Sequence, residues 1–231
     1  VVEYYAKIIF VNASALNTNL ILLNSPSERF PNGLGNDSGT LGKGIGFHIY
    51  RGFIRAAFEG FTDKYYYVRN PTEGIVANYR NLGKQEMDYV GGFTSFSGAY
   101  RPRGVYDDDA PRVGADYKER LRVPGPWEAY MYMQGETIMK ESNHVRLSED
   151  KVDQWGIPLL VTSVGYDDND ENMVKDFLQQ GSEMFEAAGG KVLEAIDNKQ
   201  PPGLDIHEMG GVRMGKDRKT SMLNEWNQLH H

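Results

Sequence analysis

The chain has 231 residues, 40% of them apolar, which suits one large domain or two small ones with a real core. A net charge of −7 and a pI near 5.3 speak against a surface for nucleic acid or anionic membrane. With no cysteine, disulfides, thiolate zinc sites and cysteine nucleophiles are excluded, and no apolar run reaches the ~18 residues of a membrane span. Cytoplasm and periplasm both stay open. The chain starts Val1-Val2-Glu3 and stops at His230-His231, and it reads as a piece of something longer.

Residues 6–11 (Ala-Lys-Ile-Ile-Phe-Val) form a short β-rich apolar run, the pattern of a strand buried on both faces. A turn follows, and residues 16–24 read as a short helix with Leu20, Leu22 and Leu23 inward. Residues 30–46 are dense in glycine but match neither phosphate-binding spacing: a P-loop needs Gly where Asp37 stands, and a dinucleotide loop needs Gly where Ser38 stands. Residues 49–123 are aromatic and mostly lack helical period. Strands are expected at 65–68 and 89–96, a strand or helical turn at 53–58, and an exposed excursion at 100–117 carrying Asp107-Asp108-Asp109. That triplet lacks the EF-hand spacing and reads as a solvated acidic loop, so no metal site is expected.

Further on, residues 127–134 alternate Ala129, Met131 and Met133 against Tyr130 and Tyr132, the period of a strand with two different faces. Strands are expected at 144–147 and 157–164, joined by a turn that Trp155 anchors. Residues 170–188 are the clearest helix. Asp167, Asp168 and Asn169 can cap it, one face carries Met173, Val174, Phe177, Leu178, Met184 and Phe185, and Gly189-Gly190 ends it. A short strand at 192–196 precedes the breaker Pro201-Pro202-Gly203.

The breaker opens onto Asp205-Ile206-His207-Glu208-Met209-Gly210-Gly211-Val212-Arg213-Met214-Gly215, with one His, one Arg and three glycines. A His beside backbone that can approach a ligand suits proton transfer, and a turn holding a buried structural His is the other reading of the same residues. Through His207, Gly210, Gly211, Arg213, Met214 and Gly215 the stretch resembles the C-terminal signature of the glucose–methanol–choline (GMC) oxidoreductases, flavoproteins that oxidise alcohols and sugars. Residues 8–25 resemble a second signature of that family, with Ser14 where Gly is usual and Asn19 where Pro is usual. Gly35-Asn36-Asp37-Ser38-Gly39 resembles its crossing loop, and His48 follows in what we expect to be a structural role.

The resemblance implies an α+β fold (α/β in the parent protein). It would be an antiparallel sheet flanked by helices, with a remnant of the FAD-binding domain at 1–46, a substrate domain at 47–200 and an active-site segment at 201–231. It implies FAD as cofactor, an alcohol or sugar as substrate, an electron-acceptor partner of unstated kind, and His207 as the base that takes the hydroxyl proton. Ser14, Asn17, Gly210 and Arg213 would face the cofactor, though Arg213 also suits a purely structural role bonding loop carbonyls. The family's Gly-x-Gly-x-x-Gly unit is absent from this sequence, and its second His or Asn would lie past His231, so the piece alone is expected to be nearly inactive. A carbohydrate-binding module without catalysis, or a structural module, are the alternatives that the aromatic β-rich middle leaves open.

Overall fold

The computed structural model describes residues 2–63, 73–103, 112–204 and 206–230. The strand expected at 65–68, the acidic triplet at 107–109 and Asp205 lie outside these residues. The chain divides into two compact units, one of Val1–His48, Ile138–Gly165 and Pro202–His231, the other of Ile49–Thr137 and Tyr166–Pro201. The hairpin region 138–165, expected in the substrate domain, clusters with the first unit.

In the first unit, α1 (Ser14–Leu23) buries Asn19 and Leu22. The two-residue β1 (His48–Ile49) lies where the chain leaves this unit. Residues 6–11 form no strand, and Ile8, Ile9 and Phe10 are 70%, 74% and 80% exposed. A strand of that composition is stable only with neighbours that complete its backbone hydrogen bonds, and among the described residues it has none. These side chains instead line an open groove of about 850 Å³ with Leu22, Val212 and Trp226. A small core joins Leu22, Leu41 and Met222 to Leu23, Leu34, Val212, Leu223 and Leu229.

The second unit is a sheet covered by one helix. β2 (Gly52–Phe58), β3 (Gly74–Val76), β4 (Phe93–Tyr100) and β5 (Trp127–Glu136) come first, with α2 (Ala115–Arg122) before β5. In the first unit β6 (His144–Val152) and β7 (Pro158–Ser163) form an antiparallel hairpin. The second unit then closes with α3 (Asp168–Ala187) and β8 (Lys191–Asp197). Its strands lie in the order β3-β4-β5-β2-β8, each antiparallel to its neighbours. This matches the expected α+β class.

The alternation in β5 does what its period demands. Ala129, Met131 and Met133 are buried with Ile54, Ala56, Phe93, Met173 and Phe177, while Tyr130 and Tyr132 stand on the opposite face. Each large apolar side chain so buried contributes about 1.5–3 kcal/mol. α3 starts at a capping box, Asp167 accepting from the amide of Asp170 while Asp170 accepts from that of Asp167. It ends in a Schellman turn, with Gly190 N–H donating to Phe185 and Gly189 N–H to Glu186.

Three local expectations are corrected. α2 was not expected because none of its residues is buried, so no apolar stripe marks it. Trp155 is 76% exposed, so it anchors nothing; the turn is held by Asp153, whose carboxylate accepts from the amides of Trp155 and Ile157. Tyr89 is buried ahead of β4 rather than in it, donating its hydroxyl to Asp176 at 2.7 Å.

Candidate active site

The first unit is built around a narrow three-ribbon strip of backbone. Gly46 and Met209 exchange both amide–carbonyl bonds at 2.9 Å, and Gly211 bonds to Gly42 and Lys43. On the other side Ile45 bonds to Asn143, and Val145 to Gly42. Residues 42–46 are therefore the centre ribbon, with 209–211 along one edge and 143–145 along the other.

The glycines are there because backbone fills the space a side chain would need. A Cβ on Gly210, whose φ is +95°, would lie 1.9 Å from the carbonyl oxygen of Gly44. One on Gly211 would lie 2.2 Å from the amide oxygen of Asn19 in α1. Asn19 is fully buried and donates to Ala15 at 2.8 Å and to Gly210 at 3.2 Å, which ties α1 to the ribbon. Gly210 thus has a packing reason of its own, apart from any ligand.

His207 sits just before the ribbon with φ +65° and an exposed imidazole. A left-handed conformation costs an L-residue about 1–2 kcal/mol, and His is among the residues found there more often. Its ring meets that of His48 edge to face, with centroids 5.0 Å apart, planes at 78°, and Nδ1 of His207 3.0 Å from Nε2 of His48. His48 was expected to be structural only. No local signal could have revealed this contact, because the partner lies 159 positions away.

The other expected site residues also fall in this unit. Ser14 and Asn17 are exposed in the first turn of α1, which begins at Ala13 without a side-chain cap, so its first amides are unclaimed by a capping group. Ser14 has φ +65°, a conformation better suited to glycine. Arg213 is exposed and its Nε donates to the carbonyl of Thr220 at 2.9 Å. Past it, His230 places Nε2 3.1 Å from the carbonyl of Gly215; a carbonyl only accepts, so that nitrogen carries the proton. Among the described residues no group of three or more His, Asp or Glu could hold a metal.

The second unit offers a surface of another kind. On the sheet face away from α3, the rings of Phe96 and Tyr132 stack at 5.3 Å and those of Tyr130 and Tyr132 at 6.3 Å, with Tyr50 edge-on to Tyr132. Glu73 accepts from the Tyr132 hydroxyl at 2.8 Å. Burial first, and then the bond to Glu73, push the Tyr132 phenol above its ordinary pKa, so it stays protonated. A groove of about 400 Å³ runs along this face.

Residues 140–231 match the family model described as GMC oxidoreductase. Over nearly its whole length the chain is also similar to 2-methyl-1,2-propanediol dehydrogenase of Mycolicibacterium austroafricanum, 28% identical over 244 aligned residues covering 98% of this chain. The chain spans 41% of that relative's length. No described helix is long and apolar enough to cross a membrane.

Proposed function

We propose that this chain, which belongs to the GMC oxidoreductase family, carries the proton-accepting half of an FAD-dependent oxidation of an alcohol, with His207 as the base. The observation that carries the reading is the placement of His207 in the family-matched region, its imidazole open to solvent just before a closely packed glycine ribbon. A base must come within hydrogen-bond reach of the proton it takes, and an exposed ring is open to such an approach.

Alcohol oxidation separates a hydride from carbon and a proton from oxygen. FAD, when bound, supplies the hydride acceptor. His207 accepts the hydroxyl proton as the C–O bond becomes a carbonyl. Ser14, Asn17, the backbone of Gly210 and Arg213 are the groups proposed to face the cofactor: a hydroxyl, an amide and uncapped helix amides are donors that fit its polar part, and the guanidinium offsets negative charge. The substrate class is a CH–OH donor, a sugar or a small alcohol of the kind in the relative's name. The sequence holds no Gly-x-Gly-x-x-Gly unit for the pyrophosphate, so the 231-residue chain by itself is proposed to turn over no alcohol.

The test is His207→Ala in the full-length, FAD-loaded protein. Bleaching of the oxidised flavin by alcohol should slow by roughly 10²–10⁴-fold while FAD stays bound. An unchanged rate would remove His207 from the chemistry, and a full-length protein that takes up no FAD would sink the redox reading altogether.

The stacked aromatic face of the second unit favours one other reading, a non-catalytic carbohydrate-binding surface, since flat rings pack on the apolar faces of sugars. Sugar binding that survives His207→Ala and disappears with Tyr132→Ala would favour it.

A further inference from the structure

We infer that His48 is a positioning residue for His207, fixing which nitrogen of the His207 ring is free to take a proton. The inference rests on the reading of His207 as the base. Gly46 and Met209 form a reciprocally bonded antiparallel pair. Two residues on from Gly46 is His48, and two residues back from Met209 is His207, so the bridge brings the two histidines near each other, with His207 in a left-handed turn. Their rings then meet through His48 Nε2 and His207 Nδ1 at 3.0 Å.

A neutral imidazole has one N–H and one lone pair, and the bond between the rings uses one of each. If His207 is to accept a proton at Nε2, its lone pair must be there and its hydrogen on Nδ1. His207 Nδ1–H therefore donates to His48 Nε2. The reverse arrangement would put the hydrogen of His207 on Nε2 and leave that nitrogen unable to act as a base. Once His207 has taken a proton, both its nitrogens carry hydrogen and Nδ1–H still donates to His48. The pair thus passes through the step without rearranging, as a base held by an acceptor on its second nitrogen does. Burial supports the division of labour: His48 is half-buried and His207 exposed, one ring anchored and the other reachable.

The test reads the tautomer directly. Two-bond ¹H–¹⁵N correlation spectra of the chain at mildly alkaline pH should show His207 with its hydrogen on Nδ1. His48→Ala should abolish that preference, and His48→Gln, whose side-chain oxygen also accepts, should restore it. In the full-length FAD-loaded protein, His48→Ala should lower kcat about 10- to 100-fold with little change in KM, and His48→Gln should recover most of the loss. A hydrogen on Nε2 of His207 in the unaltered protein overturns the inference, whether or not any variant folds. So does a tautomer indifferent to His48→Ala. The two readings fail separately: activity that survives His207→Ala removes the base assignment and leaves the tautomer result standing, whereas activity lost with His207→Ala but indifferent to His48→Ala removes this inference alone.

Discussion

The two units are held together by different physics. The second is a side-chain structure: a helix stripe of Met173, Val174, Phe177 and Phe185 lies on the inward residues of an antiparallel sheet, and one buried cation braces its edge. That cation is Arg51, 3% exposed, which gives two hydrogen bonds to Glu171 at 2.6 and 3.0 Å, two to Asp197, and packs on the Tyr166 ring. The first unit is largely a backbone structure, in which glycines let three ribbons and α1 approach closer than any side chain allows. The unit with the smaller core carries the histidines and leaves Ile8, Ile9 and Phe10 in the open. Close backbone packing here does not require a large core.

Each unit is expected to break in its own way. The largest effect is expected from Arg51→Met, which takes the buried cation from Glu171 and Asp197 and leaves them the exposed Lys199. It should cost about 3–5 kcal/mol, read by urea denaturation, with hydrogen exchange rising first in β2, β8 and α3. Gly210→Ala should follow at about 2–4 kcal/mol, since its Cβ meets a carbonyl rather than a movable side chain, and here the exchange should rise in residues 42–46 and 209–211. Equal loss of protection in both units for both variants would erase the distinction.

Acid should act mainly through the second unit. Burial works against the Asp197 carboxylate, yet the hydrogen bonds from Arg51 and Lys199 outweigh it and hold its pKa below the usual carboxylate range. The hydrogen bond from Arg51 likewise lowers Glu171. A carboxylate with a depressed folded pKa contributes stability that is complete above its unfolded value, near pH 4, and is lost as pH falls through the folded value. On the order of 2 kcal/mol should therefore disappear below about pH 4, mostly through Asp197 because Glu171 is more open to solvent, and the slope should flatten in Arg51→Met. A slope unchanged by that substitution would assign the acid sensitivity elsewhere. The smallest effect is a gain: Ser14→Gly relieves a left-handed serine and should stabilise the first unit by up to about 1 kcal/mol, seen as a rise in the urea midpoint.

The sequence by itself determined what is periodic or local. The stripe of α3 with its acidic cap and glycine end, the two-faced β5, the β6–β7 pair, and the motif around His207 were all legible, because each is written within one or two turns of chain or in one contiguous run. Residues 6–11 misled for the same reason. Their composition states a wish to be buried, but pairing partners decide whether a strand forms, and those are not local. α2 was silent because a helix with no buried face leaves no pattern.

Only the tertiary structure decided why the glycines are glycine and which group touches His207. Gly210 and Gly211 answer to Gly44 and Asn19, residues far upstream. His48 meets His207 because Gly46 pairs with Met209, and a bridge between residues so far apart in the chain is set by three-dimensional packing that no stretch of sequence contains.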